Sequence, residues 1–379
     1  MQISPKNTKT QCVAVNFIAV ALTVTIFLST EAYSLDPPPI TPNEEFFVLG
    51  SPPIIPADWN LIVDGAVEQP LAITLEDFMQ DPAATQMATL ECYFTAGPWL
   101  LVGNANWTGV PLNTILQQAG LLSEAKAISF YALDGYVMGS FDVNDILSRD
   151  DILLAYNMNG QVLPLAQGYP LKLVLPGAAG FQNGRWLNRI EVVTSAPNLE
   201  LMHYPIHARI FEPDYGQTIP IGTYVVRGMV NAGQGIEITK VEISTDGGST
   251  WLPAELLNYF LPNVWKHWQY VWNIPEVGQY IIYVRTEDSE GNLQNQSGPF
   301  GWEGFGNLVT VDYDSDSDTV ADAIDNCPDV YNPSQGDSDA DQIGNACDDD
   351  CPNLDGQNPV AFIDLRYWPR TGSRQAAVL

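Results

Sequence analysis

An α+β domain, an immunoglobulin-like β-sandwich and a short acidic tail, in that order, are what this sequence predicts. From Trp59 to about Ala196, short apolar runs alternate with helical patterns, the texture of mixed α and β elements around one core. From about Leu199 to Val311, strand-like runs are separated by turn residues, as a sandwich of antiparallel sheets requires. Beyond Val311, carboxylates crowd together and apolar residues thin out, so no conventional hydrophobic core can form there.

The elements follow in order. Residues 35–57 carry Pro37, Pro38, Pro39, Pro42, Pro52, Pro53 and Pro56, which fix an extended arm rather than a helix or central strand. Leu61-Ile62-Val63 before Asp64-Gly65 predicts a strand and a turn. Thr74 stands as N-cap to a helix opening at Leu75, and Pro111 to Ala119 predicts a second helix closed by Gly120. Ile128 to Leu133 and Leu171 to Leu175 read as strands. In the second half Thr223 to Val230, Thr239 to Ser244 and Gln279 to Arg285 are strand runs, with turns at Asp246-Gly247-Gly248 and Pro275 to Gly278.

The chain of 379 residues is too long for a single core. Its net charge of -30 disfavours nucleic acid and anionic lipid as partners and suits a cationic protein or divalent cations. Residues 12–28 form an apolar run after Lys6 and Lys9 and before the small residues Thr30, Ala32 and Ser34. This reads as an export signal over residues 1–34, placing the mature chain in the periplasm or outside the cell; an uncleaved membrane anchor is the other reading. With the signal gone, Cys92, Cys327, Cys347 and Cys351 remain, and Cys92 stands far from the others. Exported cysteines tend to pair, so Cys92 is reserved for something else. A thiolate is a soft donor suited to a redox metal, while a buried structural cysteine is the plainer reading. His203, His207 and His267 read as structural or surface residues, because none has metal-ligand spacing with another.

Several ordered motifs carry a family resemblance. Ala88-Thr89-Leu90-Glu91-Cys92 is followed by Trp107-Thr108-Gly109-Val110-Pro111-Leu112, then Leu153 to Gly160, then Gly168-Tyr169-Pro170-Leu171-Lys172 and Arg185-Trp186-Leu187-Asn188-Arg189. The second half adds Val241 to Trp251, Trp265 to Trp272, and Val284 to Asp288 with Gly291 to Gln294. From roughly Phe46 to Gln294 the chain resembles the sulfite oxidase family of molybdopterin-dependent oxidoreductases. The resemblance implies a molybdopterin-binding domain over 35–198 and an immunoglobulin-like dimerisation domain over 199–311, with a homodimer formed through the latter. It implies molybdenum held by Cys92 and by the dithiolene of one pyranopterin, with oxygen-atom transfer to or from a small-molecule substrate. Lys172 and Arg185 match positions that contact the pterin; Gln167 stands where the family commonly has histidine and donates without a charge. Tyr204 takes the place of an active-site tyrosine or, on the plainer reading, packs at the domain junction.

The pattern departs from the family on the substrate side. Leu49-Gly50-Ser51 stands where a sulfite-binding arginine is expected, Tyr93-Phe94 follows Cys92 in place of an Asn-Arg pair, and Asn106 replaces an arginine. Charge-assisted bonds are the strong ones, so sulfite itself is disfavoured. The chain contains no Cys-x-x-Cys-His haem motif, so electrons pass to an external carrier such as cytochrome c. Only Lys6 and Lys9 precede the apolar run, not a twin arginine; this favours the alternative, a cofactor-free binding or structural module on the same fold.

The tail, 312–351, alternates carboxylates at Asp314, Asp316 and Asp318, with Asp322, Asp325, Asp337, Asp339 and Asp341 following. Calcium takes six to eight hard oxygen ligands. With Asn326-Cys327-Pro328, Asn332-Pro333 and Gly344-Asn345-Ala346-Cys347, the segment resembles a thrombospondin type 3 repeat, which implies calcium on those aspartates and a Cys327–Cys347 bridge. A solvated acidic linker is the plainer reading. Cys351-Pro352-Asn353 resembles the opening of a further, incomplete repeat; 352–379 form an unassigned tail, and Tyr367-Trp368-Pro369-Arg370 onward matches no pattern.

Overall fold

The structure, a computed structural model, describes residues 39–92, 101–298, 300–338 and 340–348. The apolar run 12–28, Asp339, Cys351 and residues 352–379 lie outside the described residues. Among the described residues no helix is long and apolar enough to cross a membrane.

Two sheets frame the first half. One has the order Leu71–Thr74, Asn60–Gly65, Leu187–Val193, Ala127–Ala132, Val137–Asp142; only Asn60–Gly65 with Leu187–Val193 is parallel. The other pairs Ala84–Glu91, Val102–Pro111, Leu153–Met158 and Gln161–Val162, with Lys172–Val174 added alongside Leu153–Met158. Three short helices, Leu75–Phe78, Leu112–Ala119 and Val143–Leu147, cover the first core. Leu61, Ile115, Phe130, Phe141, Leu154 and Ile190 fill that core, each wholly buried.

Local chemistry places these elements largely as expected. Thr74 caps its helix by accepting the Asp77 amide proton at 3.1 Å. Pro111 precedes the helix Leu112–Ala119, and Gly120 closes it at φ 66°. The expected turn at Asp64-Gly65 is corrected: both residues stay in the strand, and Gly65 pairs with Val192. The glycine serves close approach instead, since a Cβ there would lie 2.1 Å from the Val192 carbonyl oxygen.

The second half is a sandwich. His207–Glu212, Thr223–Asn231, Lys266–Asn273 and Glu255–Leu256 make one sheet. Thr218–Pro220, Asn307–Asp312, Gly278–Asp288, Ile238–Ser244 and Leu252–Pro253 make the other. Val226, Val230, Trp268, Ile282, Val284 and Val309 meet between them. The two halves interlock by backbone and side chain: Thr89 N–H donates to the Asn263 carbonyl at 3.1 Å, and Trp265 N–H donates to Thr89 Oγ1 at 2.9 Å. Among its described residues the acidic tail adds turns without strands, closed by a Cys327–Cys347 disulfide.

Leu154 has no exposed surface, whereas Val162 in the same sheet is 67% exposed. Leu154→Ala is expected to lower unfolding free energy by about 2–5 kcal/mol, and Val162→Ala by less than about 0.5 kcal/mol, as read by urea denaturation.

Candidate functional site

Cys92 follows directly on the strand Ala84–Glu91, and its amide donates to the Leu101 carbonyl at 2.9 Å. It is half-buried and is not in a disulfide. The turn at Gly180 presses on this point: a Cβ at Gly180 would lie 2.3 Å from the Glu91 carbonyl oxygen and 3.4 Å from Cys92 Cα. Only glycine lets the two backbones meet so closely.

Lys172 opens its short strand opposite Ala155 and is 3% exposed. Its ammonium sits 5.6 Å from the centre of the wholly buried Trp107 ring. Among the described residues no carboxylate pairs with it. Burial first, and then the charge of Arg185, pull its pKa down to about 7. Arg185 donates to the Ala166 carbonyl at 3.0 Å and to the Leu49 carbonyl, and stacks 4.2 Å from the centre of the Trp186 ring. Burial lowers it too, against the opposing pull of Asp134. Trp186 holds φ at 53°, an unusual value for a bulky residue. Its indole donates to the Leu165 carbonyl at 2.7 Å, fixing the strained turn that carries Arg185.

Two neighbouring cations, one of them with no carboxylate paired to it among the described residues, are a poor arrangement for stability alone. They suit a ligand that brings negative charge and many acceptors, as a pterin phosphate does. The residues present therefore fit the expected cofactor, with Lys172 and Arg185 as its cationic contacts. Gln167, 3% exposed, spends its amide nitrogen differently: it donates to the carbonyls of Phe47 at 3.1 Å and Phe46 at 3.4 Å. It thus pins the arm that packs Phe46 edge-on to Trp107.

Tyr204 is 4% exposed, and its hydroxyl accepts the Gly180 amide proton at 2.8 Å. Burial and then the negative charge of Glu91 push the phenol far up, so it stays a neutral donor. The structure thus brings Tyr204 to the Glu91-Cys92 end of the strand and holds Lys172 beside Arg185.

Sequence reasoning passed over Glu91 and its contact with His207. Glu91 is wholly buried, with His207 Nε2 at 3.1 Å and Arg209 at 3.2 Å from Oε1. Burial by itself raises the carboxyl, but His207 and Arg209 outweigh it and hold it below its usual range. His207 is thus a buried residue, in keeping with a structural role, and its partner is the glutamate that precedes Cys92. The available signals were a glutamate at the end of an apolar strand and the His207-Ala208-Arg209 spacing, which sets two cations on one strand face.

In the tail, carboxylate oxygens of Asp314, Asp316 and Asp318 lie within 4.8 Å of one another. Asp318 is 1% exposed and accepts the amides of Val320 at 2.8 Å and Asn332 at 3.0 Å. Asp322 accepts from Ser315, and Asp325 from Cys327 and Gln335. Asp337 and Asp341 accept amides in a second turn.

Comparison with known proteins agrees with this geometry. Residues 49–199 match the family described as oxidoreductase molybdopterin binding domain, and residues 199–314 the family described as Mo-co oxidoreductase dimerisation domain. Mitochondrial sulfite oxidase of Rattus norvegicus is 29% identical over 70% of this chain and 60% of its own length. Sulfite oxidase of Gallus gallus is 28% identical over 72% of each chain. A nitrate reductase [NADH] of Ulva prolifera is 26% identical over 67% of this chain and 38% of its own. The crystal structure of the sulfane dehydrogenase SoxCD from Paracoccus pantotrophus superposes with a TM-score of 0.57 at 24% identity, covering 64% of this chain and 70% of that one, and bears on the fold alone. The chain therefore belongs to the sulfite oxidase family of molybdopterin-dependent oxidoreductases. It spans only about 60% of the length of the rat enzyme that it matches.

The buried lysine generates a pH prediction. Lys172 loses its proton near pH 7 in the folded, cofactor-free protein but near 10.5 when unfolded. Between those values the unfolded chain binds the extra proton, so stability rises with pH. Lys172→Met is expected to remove up to about 1.4 kcal/mol of that rise per pH unit, measured as urea unfolding of both proteins across the window, and to lower cofactor content.

Proposed function

We propose that this protein is an exported molybdenum-dependent oxidoreductase that moves an oxygen atom to or from a small molecule. The observation that carries the reading is Lys172: a buried amine beside Arg185 with no carboxylate partner among the described residues. When bound, the cofactor supplies a metal centre that exchanges two electrons as oxygen is gained or lost. Cys92 holds the metal, Lys172 and Arg185 hold the pterin's anionic end, and Gln167 fixes the arm over Trp107. Tyr204, a protonated phenol, keeps a hydrogen-bond donor near the Glu91-Cys92 end of the strand. Asn106 and Leu49-Gly50-Ser51 bring no charge to the substrate side, and Leu49 directs its carbonyl to Arg185. This favours a neutral or weakly charged substrate over sulfite. A cationic external carrier such as cytochrome c suits the net charge of -30, and the dimerisation-domain match supports a homodimer.

Metal analysis of the protein purified after its own export is the test: near-stoichiometric molybdenum supports the reading, and repeated absence leaves the cofactor-free module. Cys92→Ser is expected to abolish turnover of sulfoxides or N-oxides with a redox dye while leaving the melting temperature within a few degrees. A mutant with normal turnover would reject the ligand role.

The tail supports a second reading, calcium binding, favoured by the convergence of Asp314, Asp316 and Asp318 around the buried Asp318. Calcium on these carboxylates would replace the missing apolar core. Millimolar calcium is expected to protect the Asp312 to Cys347 segment from protease; unchanged cleavage with calcium or chelator leaves the solvated linker.

A further inference from the structure

Glu91 is a buried carboxylate next in sequence to Cys92, and both of its cationic partners come from the other domain. His207 Nε2 and an Arg209 guanidinium nitrogen reach the same oxygen, at 3.1 and 3.2 Å. All three residues are sealed from water, none exposing more than 4% of its surface. The His207 ring also meets the Pro205 carbonyl at 2.8 Å through Nδ1, so both ring nitrogens face oxygen atoms. Arg209 stacks 4.1 Å from the centre of the Phe305 ring, and His207 lies 5.2 Å from the centre of Phe300. Aromatic walls thus exclude water from the charges. The Tyr204 hydroxyl feels both Glu91 and Cys92, which puts carboxylate and thiol within electrostatic reach of one point.

A structural staple between domains needs no charge here. The Thr89 contacts to Asn263 and Trp265 already join the halves beside it, and replacing a buried ion pair by apolar residues is often neutral or stabilising. Charges held in a low-dielectric interior act on their neighbours far more strongly than charges in water.

We propose that the Glu91–His207–Arg209 cluster is a fixed electrostatic element that sets the reduction potential of the metal held by Cys92, with the dimerisation domain supplying its cationic half. The inference rests on Cys92 being the metal ligand. Its residues touch neither metal nor substrate; they act through the field at the Cys92 sulfur, and adding an electron to the metal is easier the more positive that field is. Removing the negative charge should therefore raise the potential, and removing a positive one should lower it.

The test is an EPR-monitored redox titration of molybdenum in the purified holoprotein. Glu91→Gln is expected to shift the midpoint upward, Arg209→Met downward, and Arg209→Lys hardly at all; the Glu91→Gln/Arg209→Met double variant should fall between the two single ones. A purely structural cluster would lower melting temperature in the single variants without opposite shifts in potential. Shifts of the same sign, or none, in variants that retain molybdenum would overturn the proposal. Should a single variant fail to fold, Arg209→Gln carries the test, since it keeps a donor toward Glu91 and drops the guanidinium charge: a downward shift supports the proposal and an unmoved midpoint overturns it. Wild-type protein without molybdenum would remove the proposal together with the reading it rests on, and that outcome is seen before any variant is made.

Discussion

Glu91 ends its strand with a carboxylate that no water reaches, and its charge is compensated from the neighbouring domain rather than from its own. An unpaired buried charge is costly, and breaking such a pair from one side costs about 3–5 kcal/mol. The compensation comes from His207 and Arg209 on the first strand of the sandwich, so the two domains cannot separate without stranding the charge. The close approach of Gly180 to the Glu91 carbonyl then fixes the strand end that carries Cys92.

Set against this, Lys172 shows the opposite treatment. It is as well buried as Glu91 for practical purposes, yet its nearest charged neighbour in electrostatic terms is another cation, Arg185. One buried charge is compensated by two partners and the other by none among the described residues, which is why the proposed function gives the second a ligand. The strain at Trp186, with φ 53°, belongs to the same side of the site and keeps Arg185 in place. Non-glycine residues in this region persist where the surroundings over-determine them.

Much of the fold was legible in local chemistry. Thr74, Pro111 and Gly120 mark helix ends because capping and left-handed closure depend on residues only a few positions apart. Asp64-Gly65 misled for the complementary reason: the glycine is required by Val192, a partner far along the chain, and local reading sees only a turn. The site divides the same way. Cys92, Lys172 and Arg185 stand in recognisable motifs, whereas the pairing of Glu91 with His207 and Arg209 spans 116 and 118 positions and is closed only by the packing of two domains. Gln167 was legible as a donor but not as the residue that holds Phe46 and Phe47.

The central claim is that the Cys92 sulfur bonds the molybdenum of a cofactor whose anionic end Lys172 and Arg185 hold. X-ray absorption at the molybdenum edge, recorded on wild-type holoprotein and on Cys92→Ser protein loaded with cofactor, tests it most directly. The account predicts one sulfur fewer in the variant's first coordination sphere; an unchanged sulfur count, or a wild-type spectrum fitted by the dithiolene sulfurs alone, would contradict it.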